Sequence, residues 1–419
     1  MKNKNIIQSI AVYFAGYGQY RLVGRLGLDR QRPVFSYDPT WLANGLPLSP
    51  IEMPLYTPNS NKLYYGEHRS SQYLCGLLSD SLPDGWGMLL MDRFFRQKLG
   101  KEPHDITVLD RFAYIGKKAM GALVFEPEHL IDTDNEALDL ITLAQANQQV
   151  LEGKDTDILS QLLQVGGSPQ GARPKAQIYF EPKSQIVSTI NLSNQAESWL
   201  VKFPAQNEHK SVCLLEGLYA DFAKCSGIEM PEHHYFDLSK EHSAFGVKRF
   251  DRHNGERIHI HTLAGLLNTD FRLPTLDYTQ LLRCVRMMTR SQKDVERAYR
   301  QVVFNVIFNN KDDHTKNFSF IMDEMGKWSL SPAYDLTFNT GINGYHQMDI
   351  CGEAKYPTKA DLLKLAKITD IKQNTAGSII DQIMLSAEQF LNVIKDYPLQ
   401  KDLSNTVQKT IKANIKRMI

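Results

Sequence analysis

In QKDVERAYRQVVFNVIFNN, Val295, Ala298, Tyr299, Val302, Val303, Val306 and Ile307 recur at i, i+3, i+4 and i+7 spacing. That is the period of a helix with one buried face. A polar stretch follows at once: FNNKDDHTKNFSF, residues 308–320. It sets two aspartates, a histidine, two lysines and three asparagines between apolar flanks. A hairpin pattern comes next, FSFIM, the turn DEMGK, then WSLSPAYDL. Two more amphipathic helices are predicted near 377–396 and 403–417.

The earlier chain has a different rhythm. IAVYFAG and YGQYRLVGRLGLD read as two strands and a turn. PVFSYDPTWLANG and PLYTPNSNKLYYG put Pro, Asn and Gly around strand-favouring aromatic residues. SLPDGWGMLLMDRFFRQKLG turns at 83–85 and enters a helix with Leu89, Leu90, Phe94 and Leu99 on its apolar face, ended by Gly100. Residues 126–165 are acidic and helical in character. GGSPQGARPKAQIYFEP is a Gly-rich turn leading into a strand, and ESWLVKFP is a second strand. SVCLLEGLYADFAKCSGI predicts a helix burying Leu214, Leu215, Leu218, Phe222 and Ala223. SAFGVKRFDRHNGERIHIH reads as strand, turn, strand.

The expected fold is therefore α+β and two-lobed, laid out like a protein kinase. An added β-rich N-terminal subdomain spans 1–125. A β-rich lobe with phosphate loop and hinge spans 126–255, and an all-helical C-terminal lobe with the catalytic loop spans 256–419.

Composition adds little. The 419 residues are 42% hydrophobic and 23% charged, and the net charge is +1. No global field draws the chain to nucleic acid or membrane. Cysteines 75, 213, 225, 284 and 351 form no C-x-x-C pair. Reduced thiols in a cytoplasm fit best. The basic, partly apolar start reads as strand rather than signal peptide, and no run approaches the roughly 18 apolar residues of a membrane span.

Phosphoryl transfer needs in-line reactants and neutralised phosphate charge. Asp312 and Asn317 have the D-x-x-x-x-N spacing of a kinase catalytic loop, with Asp312 as base and Asn317 turned towards magnesium. Asp335, at the end of the hairpin, is a natural second magnesium ligand. Lys202, in WLVKFP, is placed to grip the α/β phosphates of ATP, and Glu216 on the next helix to orient it. GGSPQGARPKA lies where a phosphate cover belongs, though it matches neither G-x-G-x-x-G nor the Walker A pattern. FGVKRFD lies where a hinge belongs.

GSPQGARPK, VKFP, VKRFDR, DDHTKNFS and PAYDL, in that order, resemble the HipA family of serine/threonine kinases, the toxin halves of bacterial toxin–antitoxin pairs. VGRLGLD, FSYDPTWL and SLPDGWG resemble that family's N-terminal region. The resemblance implies that Gln170, Gly171, Ala172, Arg173, Pro174 and Lys175 form the phosphate-covering loop. It implies that Lys248, Arg249 and Phe250 form the hinge, and that His314, Lys316 and Tyr334 line the nucleotide site. It makes Ser168 the site of autophosphorylation. It also implies a small helix-turn-helix antitoxin (HipB-like) as partner, DNA reached through that antitoxin, and an aminoacyl-tRNA synthetase as protein substrate. The loop departs from the A-G-A-Q-E-K type of some members, and Pro169 stiffens it.

Each site has a plainer reading. Asp312 and Asp313 could be an exposed turn, Lys202 a surface strand residue, Glu216 a solvated helical residue and Ser168 a turn serine. His259 and His261 alternate on one strand, as a solvated face or half a metal site would. Asp313 has no assigned role, so Asp313→Asn should do less harm than Asp312→Asn. Two other functions stay open: a non-catalytic antitoxin-binding co-repressor component and a small-molecule kinase.

Overall fold

In β1 (Ser9–Phe14) the side chains of Ile10, Val12 and Phe14 share one face and are fully buried, the two-residue period of a strand with one side on a core. The computed structural model describes residues 7–55, 62–131 and 137–419. Strand β1 pairs antiparallel with β2 (Arg21–Asp29) and β4 (Leu123–Glu126), and β3 (Arg32–Tyr37) completes the order β3-β2-β1-β4. The expected strand pair at 10–29 is therefore present. Part of PLYTPNSNKLYYG and of the acidic segment after 126 lies outside the described residues.

The Gly85–Leu99 helix buries Trp86, Leu90, Met91, Phe94 and Phe95 and ends at Gly100, whose φ of 60° is left-handed. Leu99, expected on the apolar face, is 43% exposed. It sits in the last turn of a helix whose packing partner is the Leu159–Gly166 helix.

The second sheet is antiparallel, in the order β6-β5-β7-β9-β8. Its strands are β5 (Lys175–Glu181), β6 (Ile186–Ser188), β7 (Glu197–Lys202), β8 (His233–Asp237) and β9 (Ser243–Lys248). The Ser211–Cys225 helix covers β8 and β9 and buries Leu215, Leu218, Tyr219 and Ala223. Leu214 and Phe222, expected on the same face, are only half-buried. A small hairpin, β10 (Arg252–His253) and β11 (Glu256–Arg257), leads to β12 (His259–Thr262).

All seven periodic residues of the Gln292–Ile307 helix are buried. At its end an aromatic cluster ties the sheet lobe to the helical lobe. The Phe304 and Phe308 rings stack 4.1 Å apart, Tyr219 lies 5.6 Å from Phe308, and Phe390 lies 5.4 Å from Phe308. Each such ring stabilises by about 1.5–3 kcal/mol through burial, so the helix end that launches the polar stretch is fixed. The predicted hairpin forms as β13 (Ser319–Met322) and β14 (Trp328–Leu330), and β12 adds to β13, so the helical lobe also carries a three-stranded sheet. The last helices are Gln373–Val393 and Lys401–Arg417.

His259 and His261 are neither solvated nor, among the described residues, part of a metal-binding group. The N-terminal unit covers their strand. His261 Nδ1 lies 2.6 Å from Asp80 Oδ2 and its Nε2 lies 3.0 Å from Ser49 Oγ. His259 Nε2 reaches the Leu48 carbonyl at 3.0 Å, and burial, with His261 nearby, pushes its imidazole down to about 4.

Candidate active site

Lys202 ends β7 opposite Lys175 of β5. Its Nζ lies 2.6 Å from Glu216 Oε1 and 2.5 Å from Asp335 Oδ1. A lone buried ammonium is costly. Burial alone would drive Lys202 towards neutrality, but Asp335 and Glu216 outweigh it and hold the ammonium above its ordinary range. Burial likewise pushes the Asp335 carboxyl up, and Lys202 and Lys175 pull it well below the usual carboxylate range. Asp335 sits at a φ of 57°, a left-handed conformation that aspartate tolerates better than most residues and that brings its carboxylate to Lys202. The three groups come from a strand, a helix and the end of a hairpin. Lys202 and Glu216 are thus not the surface residues of the plainer reading.

The 168–175 loop is pressed onto the N-terminal unit. Gln170 Nε2 donates to the carbonyls of Ser79, Asp80 and Leu82 at 3.3, 3.0 and 3.2 Å. The Gly171 amide donates to Asp84, and the Gly171 carbonyl accepts from the Trp86 amide at 3.1 Å. Gly171 has a φ of 103°, and a Cβ there would lie 2.1 Å from Lys175 Nζ, so a glycine is required. Arg173 pairs with Glu208 at 2.7 Å and approaches Glu216 at 3.8 Å. Lys175 Nζ donates to the Gln170 carbonyl. Burial, then the charge of Lys202, brings the Lys175 amine down to about 8.

Ser168 is buried rather than displayed in a turn. Its Oγ donates to the Lys118 carbonyl at 2.7 Å and accepts from Gln177 Nε2 at 2.6 Å.

In the polar stretch the two adjacent aspartates part company. The Asp312 side chain is 48% exposed, with His314 Nε2 3.8 Å from its Oδ1. Asn317 Nδ2 donates to the Asp312 carbonyl at 2.6 Å, which folds the five-residue loop back on itself. Burial raises the Asp312 carboxyl; His314 opposes this, while Asp335 and Asp313 add to it. A raised carboxylate is a better proton acceptor. Asp313 is fully buried and accepts from the Tyr278 hydroxyl, from His346 Nδ1 at 2.7 Å and from the Gln347 amide at 2.7 Å. The residue left without a role thus pins the loop's floor.

Lys316 turns towards the N-terminal unit, with its Nζ 2.8 Å from Asp84 Oδ2 and 4.1 Å from the Phe271 ring centroid. Tyr334 donates to the Lys316 carbonyl at 2.6 Å, and its ring lies 5.8 Å from that of Phe250. Lys248 pairs with Glu197 at 2.6 Å and Glu232 at 3.1 Å. Arg249 grips Asp251, with its Nε 2.9 Å from Oδ1 and its Nη2 2.7 Å from Oδ2. Of the three hinge side chains, Phe250 faces the ring of Tyr334. Sequence reasoning assigned no site role to Asp84, Phe271 or Asp313. SLPDGWG contained Asp84, but as a turn before a helix.

Magnesium usually takes one or two carboxylates and completes its shell with phosphate and water. The donor set suits that. Asp335 gives one oxygen to Lys202 and has a second, and Asn317 spends its NH2 on Asp312 and keeps its amide oxygen.

The sequence model described as the HipA N-terminal domain matches residues 15–126, and that of the HipA-like C-terminal domain matches residues 167–391. A protein of Sinorhizobium fredii named "Putative kinase Y4dM" is 30% identical over 161 residues, covering 35% of this chain and 39% of that protein. A "Putative kinase" of Haemophilus influenzae is 24% identical over 180 residues, covering 37% and 50%. The chain thus spans half or less of the length of these relatives. The HipA chain of a Shewanella oneidensis HipA, HipB and operator DNA complex has the same fold, with a TM-score of 0.70 and 19% identity over 97% of this chain and 96% of that one.

Proposed function

Because the chain belongs to the HipA family, we propose that it is an ATP- and magnesium-dependent protein serine/threonine kinase acting as the toxin of a toxin–antitoxin pair. The observation that carries this reading is Lys202 held between Glu216 and Asp335, with the Asp312–Asn317 loop in the same lobe junction. A chain that only needed to bind an antitoxin would have no use for a buried ammonium shared by two carboxylates.

Lys202, Lys175 and amides of the 168–175 loop other than that of Gly171, which Asp84 holds, would bind the phosphates. Phe250 and Tyr334 would meet the base, and Asn317 and Asp335 would hold magnesium. Bound magnesium supplies charge neutralisation on the phosphates. Asp312 orients the acceptor hydroxyl and takes its proton as the oxygen bonds to the γ-phosphorus and the bond to the departing ADP breaks. His314, beside Asp312, offsets part of the rise that burial gives that carboxylate.

The antitoxin partner is a small HipB-like helix-turn-helix protein, and DNA is reached through it. The Shewanella complex, which holds HipA, HipB and operator DNA, supports this. The protein substrate is a translation component such as an aminoacyl-tRNA synthetase. Autophosphorylation falls on Ser168. A phosphoserine adds about −1.5 to −2 charge, which the enclosed Ser168 position cannot hold beside the Lys118 carbonyl, so the modified loop leaves its seat. Among the described residues no helix is long and apolar enough to cross a membrane, and the cysteines are free thiols; both support a cytoplasmic setting.

The test is incubation with labelled ATP and magnesium, alone and with a cell extract, beside Asp312→Asn. Label on a protein, absent in the mutant, supports the reading. Label only on a small molecule, or none with antitoxin binding intact, overturns it.

A further inference from the structure

Asp84 stands at the N-cap of the Gly85–Leu99 helix, where an aspartate ordinarily accepts a hydrogen bond from its own first turn. Here its side chain makes no such bond. It turns outward instead, and each oxygen takes a different partner. Oδ1 accepts from the Gly171 amide of the phosphate loop, and Oδ2 lies 2.8 Å from Lys316 Nζ of the catalytic loop. The side chains of Asp84 and Lys316 are each 12% exposed, so the pair is largely shielded from water and salt. The Phe271 ring closes the other side of the ammonium at 4.1 Å. Lys316 is thus caged between a carboxylate and an aromatic face, and both fix where its charge sits.

The surroundings are equally tight. A Cβ on Gly85 would lie 2.6 Å from Ala172 Cα, so the turn and the loop are pressed together backbone to backbone. Burial pushes the Asp84 carboxyl up, but Lys316 and the Gly171 amide more than offset it, and the group stays charged below the ordinary range. A cap contact given up for two inter-unit contacts implies that those contacts matter more than helix stability.

We propose that Asp84, supplied by the N-terminal unit, is a positioning residue of the transfer site: it holds Lys316 and the Gly171 amide at a fixed separation and so couples the seated phosphate loop to the catalytic loop. The inference rests on the kinase reading. It makes the N-terminal unit part of the active site, since among the described residues no other side chain is seen bonded to both loops.

Asp84→Asn keeps an acceptor for the Gly171 amide and removes the charge that holds Lys316. Three readouts apply to the full-length chain: steady-state kinetics, thermal unfolding, and mass spectrometry of Lys316 acetylation by an amine-selective acetylating reagent. The expected result is an unfolding temperature close to wild type and faster acetylation of Lys316. The kcat should fall about tenfold or more, as misplacing a positioned group does, with the KM for ATP changed less than about twofold. Asp84→Asn combined with Lys316→Met should be no slower than Lys316→Met alone, because one residue acts through the other. If Asp84→Asn does not fold, Asp84→Glu keeps the charge but shifts it, and a smaller loss of kcat with faster Lys316 acetylation is expected. Unchanged kcat, unchanged acetylation, multiplying single-mutant losses, or a rise confined to KM would overturn the inference while leaving an active kinase. A wild-type chain that phosphorylates no protein removes the kinase reading and this inference with it.

Discussion

Asp313 and His346 meet 2.7 Å apart in full burial, in a loop whose other aspartate, Asp312, is half-exposed. The carboxylate also takes the Tyr278 hydroxyl and the Gln347 amide. One buried charge thus joins the loop floor, the Tyr278–Thr289 helix and the segment after Asp335.

Asp313→Asn therefore costs fold rather than chemistry. The carboxylate takes these three bonds on two oxygens; an amide has one acceptor oxygen and sets an NH2 donor in place of the other, and losing charge-assisted bonds costs about 1.5–3 kcal/mol each. The unfolding temperature should drop by several degrees, while Asp312→Asn, at a half-exposed position, should leave it nearly unchanged. Thermal unfolding of both variants checks this. Equal melting temperatures would refute it, and the order of total damage read from sequence alone would then stand.

Lys202 tests the phosphate grip. Lys202→Met leaves Glu216 and Asp335 as two carboxylates near one another without their shared cation. The kcat should fall by about 10²–10³, the usual loss when one electrostatic donor is removed from a transfer site. Glu216→Gln should be milder, because Asp335 still holds the ammonium at 2.5 Å. Steady-state rates of protein phosphorylation by the two variants give the comparison.

The spacing of Asp312 and Asn317 was legible because it is local. D-x-x-x-x-N lies within one loop, and Lys202 and Glu216 lie on successive elements. The Gln292–Ile307 helix was legible from its period alone. Asp84–Lys316 and Asp80–His261 were not, since their partners are 232 and 181 residues apart and neither side carries a local pattern. A strand written RIHIH looks half-polar, and only the N-terminal unit packed over it makes both histidines interior. Asp313 was hidden by Asp312: two adjacent aspartates look alike until the backbone sends one in and one out.

Asp80 offers the test of that hidden seam. It accepts from the Thr262 amide at 2.7 Å and the Thr262 hydroxyl at 2.7 Å, and meets His261 Nδ1 at 2.6 Å. Asp80→Ala strands these groups in a dry interior, at a cost of about 3 kcal/mol or more. Limited proteolysis should then cut the junction near residues 79–86 sooner than in the wild type. A wild-type cleavage pattern and melting temperature would show that the seam is held elsewhere.

Lys175 sets the pH response. Its amine, at about 8, is charged below that pH and neutral above it, so the folded protein without nucleotide loses this charge as pH rises through 8. Bound phosphate favours the charged form, so binding draws in a proton above pH 8. ATP affinity should therefore weaken from pH 8 to pH 9.5 or so, by up to about tenfold per pH unit, the limit for uptake of one proton. Lys175→Met should bind ATP more weakly at about pH 7.5 and show no such slope. Affinities measured by calorimetry between about pH 7.5 and 9.5 avoid the titration of ATP itself. A wild-type affinity flat across that range would assign the phosphate grip to Lys202 alone, whose two carboxylates keep it charged throughout.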